Sequence, residues 1–153
     1  MKVRIRNLPR RLPIKPSHVR QAVRLAAGER FAAPALDLIF LDDPAIRELN
    51  RRFLGRDRAT DVIAFDYTHD PLGSSDEPDP AGEVFISVDR AIAEARRRRL
   101  PLQRELLLYV VHGVLHLVGY DDRRAADARR MRREQLRLIR HLRPLWEEKR
   151  RRA

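Results

Sequence analysis

The segment His112-Gly113-Val114-Leu115-His116-Leu117-Val118-Gly119-Tyr120-Asp121-Asp122 sets two imidazoles and two carboxylates in an otherwise apolar run. On an α-helix His112 and His116 stand one turn apart on one face, so both rings can reach a single ion. Gly119 is where such a helix can stop, and the chain beyond it bends back to bring Asp121 or Asp122 towards that ion. Two imidazoles and one carboxylate leave the fourth position of a tetrahedral divalent ion open to water, which separates catalytic zinc from closed structural zinc. Water at such a position loses its proton near neutral pH and becomes a nucleophile. A lone histidine on an apolar face is ordinarily a core residue. Here the second histidine, the helix-ending glycine and the carboxylates beyond it point to a metal site.

The rest of the chain must position these groups. Its 153 residues, 43% of them hydrophobic, suffice for one domain with a real core. It has no cysteine, so disulfides and thiolate ligation are excluded and any metal rests on His and carboxylate. Neither a signal-peptide pattern nor a run of 18 apolar residues is readable, so the expectation is a cytoplasmic protein without membrane contact. The formal net charge of +11 attracts polyanions and makes nucleic acid, RNA above all, the leading partner class. Lysine occurs only at positions 2, 15 and 149, so the cations are nearly all arginine, whose planar fork suits phosphate and base stacking. The arginine run 96–99 and the series from Arg123 to Arg143 are candidate phosphate contacts, although helix faces solvated by arginine are the commoner case.

Periodicity predicts the elements. Strands are expected over Lys2–Leu8, Leu36–Leu41, Thr60–Tyr67 and Glu83–Val88. Helices are expected from an N-cap at Ser17 to Gly28, from an N-cap at Asp43 to Gly55, and from a cap at Ser87 or Asp89 to Arg99. Pro101 opens the apolar helix that carries the histidines, and one last helix runs from Arg123 to about Arg150 with Met131, Leu136, Ile139, Leu142, Leu145 and Trp146 along its apolar side. Residues 69–81, rich in Pro, Gly, Ser and Asp, read as a flexible loop, and residues 144–153 as a basic tail. The fold class is α+β: a single domain over 1–153, a small mixed sheet of about four strands, about five helices, and the metal site on a central helix.

The spacing from His112 through His116 and Gly119 to Asp122 also matches H-E-x-x-H-x-x-G-x-x-H/D metallopeptidases. Those enzymes carry a general-base Glu where this chain has Gly113, which cannot accept a proton. A metallopeptidase-like hydrolase therefore lacks its base. Instead, H-G-V-L-H-L-V-G-Y-D-D resembles the H-G-x-L-H-L-x-G-Y-D-H signature of the YbeY family of metal-dependent endoribonucleases. Leu49-Asn50, Asp57 and Thr60-Asp61-Val62-Ile63-Ala64-Phe65 resemble that family's L-N and D-x-P-T-D-V-L-S-F segment, and Gly82-Glu83-Val84-Phe85-Ile86-Ser87 resembles its G-D/E-x-x-I-S strand.

The resemblance implies a zinc-dependent, single-strand-specific endoribonuclease acting in 16S rRNA 3′-end maturation and ribosome quality control, with one Zn2+ per chain. The partners it implies are rRNA and the small ribosomal subunit, with ribosomal proteins or assembly GTPases beside them. The metal ligands it implies are His112, His116 and Asp122, the last where most members have a third His. Leu54 stands where the family usually has an Arg before the glycine, so Arg56, or else Arg58, is expected to supply that charge, and Ala59 and Ala64 replace a Pro and a Ser. His112, His116, Arg56 and Asp121 are the expected catalytic set; Asp121 either partners a histidine N–H or caps the next helix, and Tyr120 either orients the site or packs. Thr60 and Asp61 are read as structural, Glu83 as a rim charge, and His18, His69 and His141 as surface residues. A non-catalytic rRNA- or ribosome-binding assembly factor with a structural metal is the alternative from another class.

Overall fold

The computed structural model describes residues 1–29, 34–68 and 80–151. Four strands, β1 (Lys2–Arg6), β2 (Ala35–Leu41), β3 (Val62–Asp66) and β4 (Gly82–Ser87), form one sheet in the order β1-β2-β4-β3. β1, β2 and β4 run parallel, and β3 pairs antiparallel with β4 at the edge. The sheet is mixed and four-stranded, as expected.

Register explains which side is buried. Val3, Leu36, Leu38, Phe40, Val84 and Ile86 alternate onto the face that joins the main core. The other face carries Arg4, Asp37, Glu83 and Phe65 in one row, with Arg4 and Asp37 joined by a hydrogen-bonded ion pair. β2 reads as an unbroken apolar run, apart from Asp37, because it is covered on both sides.

Six helices complete the domain: α1 (Pro16–Ala27), α2 (Asp43–Leu54), α3 (Val88–Arg98), α4 (Leu102–Leu117), α5 (Ala125–Leu142) and α6 (Pro144–Arg151). α4 is central, packed against α1, α3, α5, β3 and β4. Among the described residues no helix is long and apolar enough to cross a membrane.

Several local readings need correction. The N-cap of α1 is Lys15, with Ser17 inside the first turn, because Pro16 already has helical φ. The N-cap of α2 is Asp42, whose carboxylate accepts from Ala45 N at 2.9 Å; Asp43 instead accepts from Ser87 Oγ at 3.1 Å and donates its N–H to Asp89 at 2.7 Å. Those two bonds clasp the start of α2 to the start of α3. The single terminal helix is two, since Pro144 cannot continue the α5 ladder and restarts the chain as α6. The segment read as a basic tail thus begins as a helix, with Trp146 only 6% exposed. The apolar side of α5 runs through Met131, Leu138, Ile139 and Leu142, while Leu136 is 40% exposed. The segment read as a flexible loop lies outside the described residues over 69–79.

Candidate metal centre

α4 delivers both histidines from its last two turns. Its approach to the sheet is fixed by Gly113: a Cβ there would sit inside the van der Waals shell of Val84 and 3.1 Å from Val62 Cγ1. The position at which peptidases hold their base therefore faces the sheet, leaving no room for a glutamate. α4 ends where the sequence predicts. Gly119 adopts φ 104°, and Tyr120 N donates to Leu115 O at 3.0 Å, which closes the last turn.

His112 and His116 face one another with Nε2 atoms 3.0 Å apart, and Asp122 Oδ2 lies 3.7 Å from His116 Nε2. One ligand atom from each of His112, His116 and Asp122 falls within 4.8 Å of the others. Two nitrogens on a tetrahedral zinc are separated by about 3.3 Å, so the observed spacing fits one ion. Tautomers support the same reading. His112 Nδ1 is hydrogen-bonded to Gln135 Oε1 of α5, which puts the ring proton on Nδ1 and leaves the Nε2 lone pair pointing at His116. Across the 3.0 Å gap that lone pair can take either the Nε2–H of His116 or a cation shared by both rings. Burial, reinforced by His112, lowers the His116 pKa below the ordinary histidine value, which favours the neutral ring that a metal needs.

Gln135 is the residue that sequence reasoning missed. Its signal was a polar side chain in the true apolar stripe of α5, four residues after Met131 and three before Leu138. Assigning Leu136 to that stripe hid it.

Other expected site residues fall elsewhere. Asp121 Oδ1 accepts from Asp122 N at 2.7 Å and Arg123 N at 3.1 Å, a turn that presents Asp122, while Gln135 takes the histidine N–H. Tyr120 packs, half-buried, against the core. Arg56 and Arg58 are exposed on the loop between α2 and β3, and among the described residues no hydrogen bond or ion pair joins either to the histidine pair. Arg58 lines a separate hollow with Asp43, Arg47 and Glu48. Leu54 is exposed at the end of α2. Asp61 accepts from Val62 N at 2.9 Å, a structural bond, and Glu83 accepts from the Tyr67 hydroxyl at 2.8 Å on the sheet face away from α4. His18 helps to cap α1, His141 bonds to Arg137 O at 2.9 Å, and His69 lies outside the described residues.

A small α+β domain with two helix-borne imidazoles and a carboxylate beyond a glycine turn belongs to the class of proteins whose side chains could hold one metal ion at the end of a central helix. A family model described as Endoribonuclease YbeY matches residues 15–143, and the chain belongs to that family. It is 43% identical over 122 residues to the endoribonuclease YbeY of Anaeromyxobacter sp., spanning 79% of this chain and 60% of that protein. Against the endoribonuclease YbeY of Geobacter sulfurreducens it is 37% identical over 134 residues, 86% of this chain and 89% of that one. A solution structure from Thermotoga maritima matches with a TM-score of 0.65 at 26% identity, covering 96% of this chain and 93% of that chain.

Proposed function

We propose that this protein is a zinc-dependent endoribonuclease that cuts single-stranded RNA, acting in the cytoplasm on the 3′ end of small-subunit rRNA and in ribosome quality control. The observation that carries this reading is the paired imidazoles, Nε2 to Nε2 at 3.0 Å, with Asp122 beside them and the His112 tautomer held by Gln135. A bound zinc would supply Lewis acidity towards a phosphodiester and ready deprotonation of water. Nε2 of His112 and Nε2 of His116 would be its nitrogen ligands, and Asp122 would add a carboxylate oxygen. Asp122, with its side chain 51% exposed, leaves the site accessible to a polymer. Positive charge near the scissile phosphate stabilises the charge that develops there, and Arg56 on the α2–β3 loop is the residue proposed to approach when RNA is bound. The chain's net charge of +11 draws the substrate in.

The test uses an rRNA fragment with single-stranded ends, incubated with zinc-loaded wild type and with His116→Ala, each with and without chelator. Cleavage is expected only from the zinc-loaded wild type. Equal cutting by both proteins would sink the reading, since a contaminating nuclease would explain it.

A further inference from the structure

Two arginine groups of the sequence, the run 96–99 and the α5 series, meet in space at the far end of α4 from the histidines. Arg99, Arg104, Arg140 and Arg143 line one cavity of about 360 Å³, whose remaining wall includes Pro101, Leu136 and Trp146, with Glu147 its sole carboxylate. Two of the four are pinned: Arg104 bonds to the buried Glu105 at 3.1 Å, and Arg143 pairs with Glu147. Arg99 and Arg140 have no ion-pair partner among the described residues. With Arg104 and Arg143 paired, the exposed Arg99 and Arg140 leave the hollow with an excess of two positive charges that face solvent and are open to an anion. Arg99 also holds φ 54°, a left-handed conformation where glycine is ordinarily preferred, yet the residue here is arginine.

We infer that this cavity is a second RNA contact, in which Arg99 and Arg140 grip the phosphodiester backbone of single-stranded RNA whose scissile segment lies at His112 and His116. This rests on the RNA-cleaving reading above. The geometry suits it. Arg104 and His116 are twelve residues apart on α4, an axial rise of about 18 Å, so a strand passing round the outside of the domain needs at least about five nucleotides at about 3.4 Å each to touch both ends. Leu136 and Pro101 offer apolar surface for a base, and the excess of guanidinium over carboxylate selects a polyanion over a neutral or basic partner.

The experiment measures binding of labelled single-stranded RNA to the full chain by fluorescence anisotropy, in chelator so that nothing is cut, for strands of about four and about twelve nucleotides over a range of salt. The pair Arg99→Gly with Arg140→Gln should weaken the longer strand about tenfold and flatten the slope of log K against log salt by about 1.4, two phosphate contacts' worth, and the short strand, which cannot span both sites, should bind the wild type more weakly than the longer one does. Arg99→Gly alone relieves the left-handed backbone, so it should melt no lower than wild type, which separates lost binding from lost folding. Arg10→Gln with Arg24→Gln removes the same charge from an exposed surface outside the cavity. If that control pair costs the longer strand as much as the cavity pair, the inference fails. The two readings fail separately. Cavity-dependent binding by a zinc-loaded protein that cuts nothing removes the proposed activity alone, whereas normal cutting with equal binding by both pairs removes the cavity alone.

Discussion

At His112 a hydrogen bond donated to a neighbouring helix decides which nitrogen is free for the proposed metal. With the Nδ1 proton committed to Gln135, Nε2 is left to bind metal. Gln135→Leu should therefore lower zinc affinity by about 10- to 100-fold, read by competition with a chromophoric chelator, while Gln135→Glu, which keeps an acceptor, should retain most of it. A loss no larger than twofold in the Leu variant would show that the ring is oriented by packing alone. His116 makes a second prediction. Burial first, and His112 next, depress its folded pKa, whereas the unfolded chain titrates near about 6.5. As the pH falls the unfolded state gains this proton first, so metal-free stability is full above about 6.5 and is lost as the pH drops through the folded value. Replacing His116 with Asn should flatten that dependence in urea midpoints measured without metal; an unchanged slope would assign it to other groups.

Among the elements, α4 matters most, and its seat on the sheet is set by a missing side chain. Gly113→Ala adds a methyl into Val84, a rigid branched side chain already 0% exposed, so α4 or β4 must shift. Overpacking of this kind costs about 1–3 kcal/mol, offset in part by about 1 kcal/mol of better helix propensity. Chemical denaturation should show a net loss, and the double variant with Val84→Ala should recover it. Gly113→Glu should fail to fold before it could act as a peptidase base. The boundaries of α4 were legible because Pro101 and Gly119 act through local backbone sterics. The mixed four-stranded sheet was legible from strand patterning, but its order was not, since β4 inserting between β2 and β3 is a long-range packing outcome. Helix phase was misread in α5 because Leu136 and Leu138 are equivalent on a hydrophobicity scale, and only contact with α4 separates them. Spacing on one helix and its turn brought His112 and His116 together and left Asp121 or Asp122 as the carboxylate beside them; in the structure it is Asp122 that stands within reach of both rings. Gln135 could not be read in this way, because its role arises from two helices that the sequence does not pair.

At the scale of the whole molecule, the apolar core and the metal centre are largely separate. One cluster runs from Val3 to Trp146 and gathers residues from β1, β2 and β4 and from every helix but α2, with Val62 and Ala64 of β3 packing at its edge, whereas the proposed ligands sit at the C-terminal end of α4 and in the turn that follows. A domain with that much buried surface does not depend on an ion for its fold, unlike small zinc modules that unfold without metal. Chelation should therefore leave the helical circular dichroism and a single cooperative transition intact. Restoring zinc should add stability by mass action alone, about 2.7 kcal/mol at free zinc a hundredfold above Kd. This measurement also separates the enzyme from an assembly factor with a structural metal. A chain that loses its helical signal in chelator, together with any RNA binding it has, uses the ion as a staple. A chain that keeps its fold and its RNA binding but stops cutting uses the ion for chemistry, and the separation of core from site makes that the expected result.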